Sequence, residues 1–144
     1  MSFFVSSSRK PSVPTRQLCK WLERLFGGEY ENRGKRSVED VVQRAEEKGF
    51  TKVLFVYESH GNPSELVFLD EGEWVEPIRI KSVVFHESNA RVKKVGSAES
   101  SNDAKKLMAL FGEFDSSGSK AFFSLEKIYF EQDGKKIGPE LVLK

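Results

Sequence analysis

The chain has 144 residues, 38% of them hydrophobic and 12% aromatic, which suffices for one compact core, and its twelve Phe exclude intrinsic disorder despite a charged fraction of 31%. Its one cysteine, Cys19, excludes an internal disulfide and a cysteine zinc site, and no apolar run nears the ~20 residues that span a bilayer. The net charge of +1 conceals a segregation: residues 1–36 carry eight basic side chains against three acidic, 37–76 three against ten, and 77–144 twelve against nine. Such a chain builds a positive patch that holds a polyanion while staying near neutral overall.

Phe3 to Ser6 reads as a short strand, followed by a loop punctuated by Pro11 and Pro14. From Thr15 the pattern turns helical, with Leu18, Trp21, Leu22 and Leu25 on one face and Gly27-Gly28 as the stop. Arg16, Lys20 and Arg24 fall at i, i+4 and i+8 on the other side, continuing the charge of Arg9 and Lys10. Glu29 to Glu31 reads as a short strand leading into Asn32-Arg33-Gly34-Lys35-Arg36. Ser37 is a suitable N-cap for a second helix, with Glu39 and Asp40 in the first turn and Gly49 at the end.

Lys52 to Glu58 has the nearly continuous β-branched and aromatic run of a central strand. The turn His60-Gly61-Asn62-Pro63 leads to a returning strand at Leu66–Leu69, and a long β-rich run covers Ile78 to Phe85. Residues 86–100 are polar and poorly patterned. A third helix starts near Asn102, with Ala104, Leu107, Met108 and Phe111 on its apolar face. Residues 121–131 and 136–143 read as two strands flanking Asp133-Gly134, a strong hairpin signal. The order of elements is an α/β pattern of two pseudo-repeated halves, about 1–75 and 76–144, forming mixed sheets with packed helices.

No stretch carries a catalytic signature. His60 and His86 lack partners at ligand spacing, Cys19 has no visible base, and no phosphate loop or nucleophile elbow occurs. No cofactor, metal or small-molecule substrate is expected. The signal is in the cations. Arg9 and Lys10, beside Ser8, together with Arg16 and Lys20 precede or line the first helix. Arg33, Lys35 and Arg36 surround Gly34 in a loop able to approach a phosphate backbone closely. Arg79 and Lys81 alternate with Ile78 and Ile80 on a strand. These cations make the candidate RNA-binding set. The phenylalanines fall mostly at core positions, so contact through phosphate and shape is expected rather than base stacking.

The blocks Ser7-Ser8-Arg9-Lys10-Pro11-Ser12, Asn32-Arg33-Gly34-Lys35, Gly61-Asn62-Pro63 and Ile137-Gly138-Pro139 occur in the order seen in the Brix family of ribosome-biogenesis proteins, and the chain resembles its archaeal single-domain members. The resemblance implies two halves, each like the anticodon-binding domain of class II aminoacyl-tRNA synthetases. It implies a cytoplasmic, non-catalytic factor that binds ribosomal RNA precursors or a guide-type small RNA and assists rRNA folding or processing. Ribosomal or assembly proteins are further expected partners; a membrane is not. Glu140 departs from the family pattern, standing where many members carry a base, which does not suit an RNA contact at that corner. The alternative reading is a protein-interaction scaffold in pre-ribosome assembly that docks basic partners through the acidic region 37–76.

Overall fold

The computed structural model describes residues 2–87, 91–112, 114 and 117–144. Strand β1 (Phe4–Ser7) is buried along its whole length. Helix α1 (Val13–Phe26) starts at Ser12, whose side chain accepts from the Thr15 N–H, with Pro14 in the first turn. It ends at Gly27, which takes the left-handed conformation at φ 68° and returns its N–H to Glu23. After the two-residue strand β2 (Glu29–Tyr30), helix α2 (Val38–Glu47) opens with a reciprocal cap between Ser37 and Asp40.

Then follow β3 (Lys52–Ser59), β4 (Asn62–Asp70), the short β5 (Glu73–Trp74) and β6 (Ile78–His86). The remaining elements are β7 (Val95–Ser100), α3 (Lys105–Phe111) entered through a 3-10 turn, β8 (Ser119–Phe123), β9 (Lys127–Gln132) and β10 (Lys135–Leu143). The expected mixed α/β class is found. The strands join one sheet in the order β2-β1-β3-β4-β6-β10-β9-β8-β7, with β5 added on β4. β1 runs parallel to β2 and β3, and β7 runs parallel to β8; the other pairs are antiparallel.

Alternation along the strands assigns the two faces. Val5, Leu54, Leu66, Phe68, Ile80, Ile128, Phe130 and Leu141 join α1 and α3 in one core. Within it the Phe3, Phe68 and Phe111 rings meet edge to face at centroid distances of 5.6 and 5.2 Å. On the opposite face Phe4, Val53, Phe55 and Leu69 pack against Val41 and Ala45 of α2. Both faces of β3 are thus covered, as its run of apolar residues requires.

Two readings need amendment. The poorly patterned stretch 86–100 contains β7, a parallel partner of β8. β7 is an outer strand in which only Val95 is large and apolar, the rest being Gly, Ser, Ala and Glu, so it carries no apolar alternation. Backbone pairing and a tight approach hold it: a Cβ on Gly96 would fall 1.1 Å from the Ser117 carbonyl oxygen. Residues 121–131 do not form one strand either. The Ser124 hydroxyl accepts from the N–H groups of Glu126 and Lys127 and breaks the run into β8 and β9. The Asp133-Gly134 hairpin is present, with both residues at positive φ (53° and 78°).

Candidate nucleic-acid interface

The loop after β1 is pinned before its cations are presented. The Ser8 N–H donates to the Val56 carbonyl at 3.0 Å, and Lys10 sits at φ 51°. The Glu58 carboxylate then accepts from the Ser12 N–H at 3.0 Å and from the Thr15 hydroxyl at 2.6 Å. Burial alone favours the neutral form of Glu58, but these bonds from Thr15 and Ser12 outweigh it and hold the carboxyl below its ordinary pKa. The Ser12 hydroxyl reaches the Gly61 carbonyl at 2.7 Å. Two sequence blocks far apart in the chain, the basic loop and the Gly61-Asn62-Pro63 turn, are therefore tied at one point.

The second wall is the loop between β2 and α2. Gly34, at φ 59°, lets it double back. Arg33 is buried at 9% exposure and donates through Nε to the Arg36 carbonyl at 3.1 Å. Arg36 donates to the Asn32 carbonyl at 3.2 Å and lies 3.6 Å from Glu31. Glu31 also takes a short ion pair from Arg44 and a longer one from Lys48. The Arg44 bond is the main reason that its carboxyl lies below its ordinary pKa.

Between these walls lies a cleft of about 600 Å³ lined by Arg9, Lys10, Pro11 and Arg16 from one loop and helix and by Asn32, Gly34 and Lys35 from the other loop. The far side of the same loop borders a second groove of about 480 Å³ that Arg33, Lys35 and Arg36 share with Asp40. The arrangement offers cationic side chains around a concave surface, a geometry suited to phosphate oxygens.

The remaining predicted residues fall outside this cleft. The Ser8 hydroxyl is buried and, among the described residues, makes no hydrogen bond. Lys20 is exposed on α1 without lining the cleft. Arg33 and Arg36 are spent largely on shaping their own loop. Arg79 and Lys81 are exposed, but Arg79 pairs across to Glu65, on the face opposite the α1 core to which Ile80 contributes. Alternation placed them correctly on a solvent face, yet on the wrong side of the sheet to join Arg16. Cys19 is fully buried, and burial pushes its thiol up to about 12.

Phe122 does not fall at a core position, as expected of most phenylalanines, but is half-buried on an open sheet face. On β8 and β9, Phe122 lies opposite Tyr129, their rings parallel within 8° and 4.7 Å apart. The Lys120 ammonium lies 5.1 Å from the Phe122 ring centre, and that of Lys136 lies 4.8 Å from the Tyr129 ring centre. Beside them Glu140 accepts from His86 at 2.8 Å, Lys136 at 3.0 Å and Lys127 at 3.5 Å. The His86 bond leads these contacts in drawing the carboxyl down to about 2, against the opposing effect of burial. The signal in the sequence is the repeated alternation Lys120-Ala-Phe122-Phe and Lys127-Ile-Tyr129-Phe. It becomes legible only when the Ser124 turn is recognised and the two segments are set side by side.

No family model matches the sequence. Curated relatives do. A probable Brix domain-containing ribosomal biogenesis protein of Methanosarcina barkeri is 43% identical over 76 residues, 52% of this chain and 46% of the relative. Its namesake in Methanothermobacter thermautotrophicus is 46% identical over 67 residues, 46% of this chain and 41% of the relative. The matched segments thus take in only about half of these relatives' own length. Two crystal structures match over nearly all of both chains. Mil, an archaeal Imp4-like protein, superposes with a TM-score of 0.76 at 28% identity, over 98% of this chain and 96% of that one. A probable ribosomal biogenesis protein from Aeropyrum pernix K1 has the same fold, at a TM-score of 0.74 and 20% identity, over 99% of this chain and 94% of that one.

Proposed function

We propose, from its similarity to the archaeal Brix domain-containing ribosomal biogenesis proteins, that the chain is a non-catalytic ribosome biogenesis factor that binds ribosomal RNA precursors. The observation that carries the reading is the cleft in which Arg9, Lys10 and Arg16 meet Lys35. Cations separated in the sequence converge there on one concave surface. Neutralising phosphates at such a surface releases counterions, so the binding falls steeply with salt. The contacts fix orientation and carry little sequence information.

The pairing pattern supports two equivalent halves. In the first, β1, β3, β4 and β6 are neighbours, pairing parallel, antiparallel and antiparallel. In the second, β7, β8, β9 and β10 repeat that sequence of pairings. A helix follows the first strand of each. We place the boundary between β6 and β7, later than element order in the sequence suggests, and we keep the likeness of each half to an anticodon-binding domain as part of the proposal.

The test is RNA affinity as a function of salt for the wild type and for Arg16→Glu with Lys35→Glu. The proposal expects a steep slope in the wild type and a large loss in the double variant. Unchanged RNA binding in that variant would shift the reading to a scaffold that docks basic partners. Arg33 and Arg36 are unsuited to this test because they shape the loop itself.

A further inference from the structure

We propose that the open sheet face formed by β8, β9 and β10 binds unpaired RNA by stacking nucleobases against the Phe122–Tyr129 pair. The inference deepens the RNA-binding reading by adding a contact of different chemistry from the cleft, at a place that fails or survives separately.

Cross-strand register fixes what this face displays. Ala121, Phe123, Ile128 and Phe130 point into the core shared with α1 and α3, so Lys120, Phe122, Lys127 and Tyr129 point away from it. α2 packs on this side of the sheet only over the first strands, against Phe4, Val53, Phe55 and Leu69. Among the described residues no helix covers the rings of Phe122 and Tyr129, and both are only half-buried.

The rings form a column with a lysine at each end: Lys120, Phe122, Tyr129, Lys136. Both lysine side chains are 39% exposed on flexible stems. A base can take the place of an ammonium on the outer ring face, and the displaced ammonium then reaches the phosphate of the same nucleotide. A depression of about 440 Å³ adjoins the pair, lined also by Glu99, Ser100, Ser101, Ser124 and Lys127. Aromatic rings on an open sheet among cations are the means by which single strands are held without dependence on sequence.

Charge narrows the choice of occupant. Lys120 is paired to Glu99 at 2.6 Å, Lys127 and Lys136 share Glu140, and Glu131 stands opposite both Lys120 and Lys136 in the register. The face is thus close to neutral, so an occupant is held by the rings more than by net charge. Its rings are interleaved with ionised groups, which does not suit an apolar protein surface. A planar, uncharged base whose phosphate lies within reach of a lysine fits both conditions. Glu140 does not repel that phosphate, since His86, Lys127 and Lys136 surround it.

The experiment compares fluorescein-labelled decauridylate and a short RNA duplex as ligands for the wild type and for Phe122→Leu with Tyr129→Leu. The double variant is expected to lose about tenfold or more in decauridylate affinity and to bind the duplex as before, with the duplex salt slope of the wild type. Decauridylate affinity unchanged in a folded double variant would overturn the proposal and indicate that a protein, if anything, covers this face. Should the variant fail to fold, photocrosslinking of decauridylate containing 5-iodouridine to the wild type decides. Crosslinks at Phe122 or Tyr129 support the proposal, and crosslinks confined to other residues overturn it. A wild type that binds the duplex but not decauridylate would end this proposal and leave the cleft standing, whereas one that binds neither would end both.

Discussion

The Ser12 hydroxyl donates to the Gly61 carbonyl across 2.7 Å, and this bond fastens the basic loop after β1 to the turn between β3 and β4. Ser12 is also the N-cap of α1 and gives its own N–H to Glu58. One small side chain therefore fixes both where the helix starts and where Arg9 and Lys10 are presented.

Replacing that residue separates these roles from charge. Ser12→Ala is expected to cost about 1 kcal/mol of stability through the lost cap and to weaken RNA binding although no cation is removed. Urea denaturation gives the first effect and a filter-binding titration the second. RNA affinity equal to wild type would mean that the loop holds its position without Ser12.

Lys35 and Arg33 are neighbours in the same loop with opposite expected behaviour. Lys35→Ala leaves stability unchanged and lowers the salt slope of RNA binding by about one phosphate contact. Arg33→Ala removes the Nε donor to the Arg36 carbonyl and is expected to cost about 1–3 kcal/mol, seen as a lower midpoint in urea. Reversal of the two results would exchange their roles.

The Glu140 carboxyl is drawn from its ordinary 4.5 to about 2 in the folded chain, first by its bond from His86 and then by Lys136 and Lys127. A depressed carboxyl adds stability that is complete above its unfolded pKa and is lost as the pH falls through the folded one. The stability of the wild type should therefore decline between about pH 5 and pH 2, and Glu140→Gln should decline less over that window. Urea midpoints at a series of acid pH values read the difference; parallel curves for the two proteins would rule out Glu140 as a source of the acid sensitivity.

Burial raises the Cys19 thiol to about 12, and the residue has no exposed surface. At neutral pH a disulfide reagent such as DTNB should label the native chain only as fast as it opens, and at once in denaturant. Rapid labelling of the native protein would show that α1 detaches from the sheet far more often than its packing implies.

Local patterns made much of this architecture readable. The capping residue Ser37, the stop at Gly27, the apolar run of β3 and the Asp133-Gly134 hairpin are each set by neighbours in the chain. β7 was not readable because an outer strand of small and polar residues is specified by its partner, β8, and by the tight seat of Gly96. The same limit applies to function. The cations of the first cleft announce themselves by clustering, but whether an arginine faces outward or bonds its own loop, as Arg33 does, depends on loop geometry. The Phe122–Tyr129 pair and the Glu140 cage exist only through strand register, which no single segment encodes.

The junction of β6 with β10 has a consequence for handling the protein. Each is a nine-residue strand, and each gives the other a partner for one of its sides. The outer borders left to the sheet are β2, only two residues long, and β7, whose register is interrupted between Val95 and Ser97. A fragment ending after β6, or one beginning at β7, would uncover a long flat ribbon of unpaired amides. Such pieces would offer that ribbon to other copies of themselves as a pairing edge.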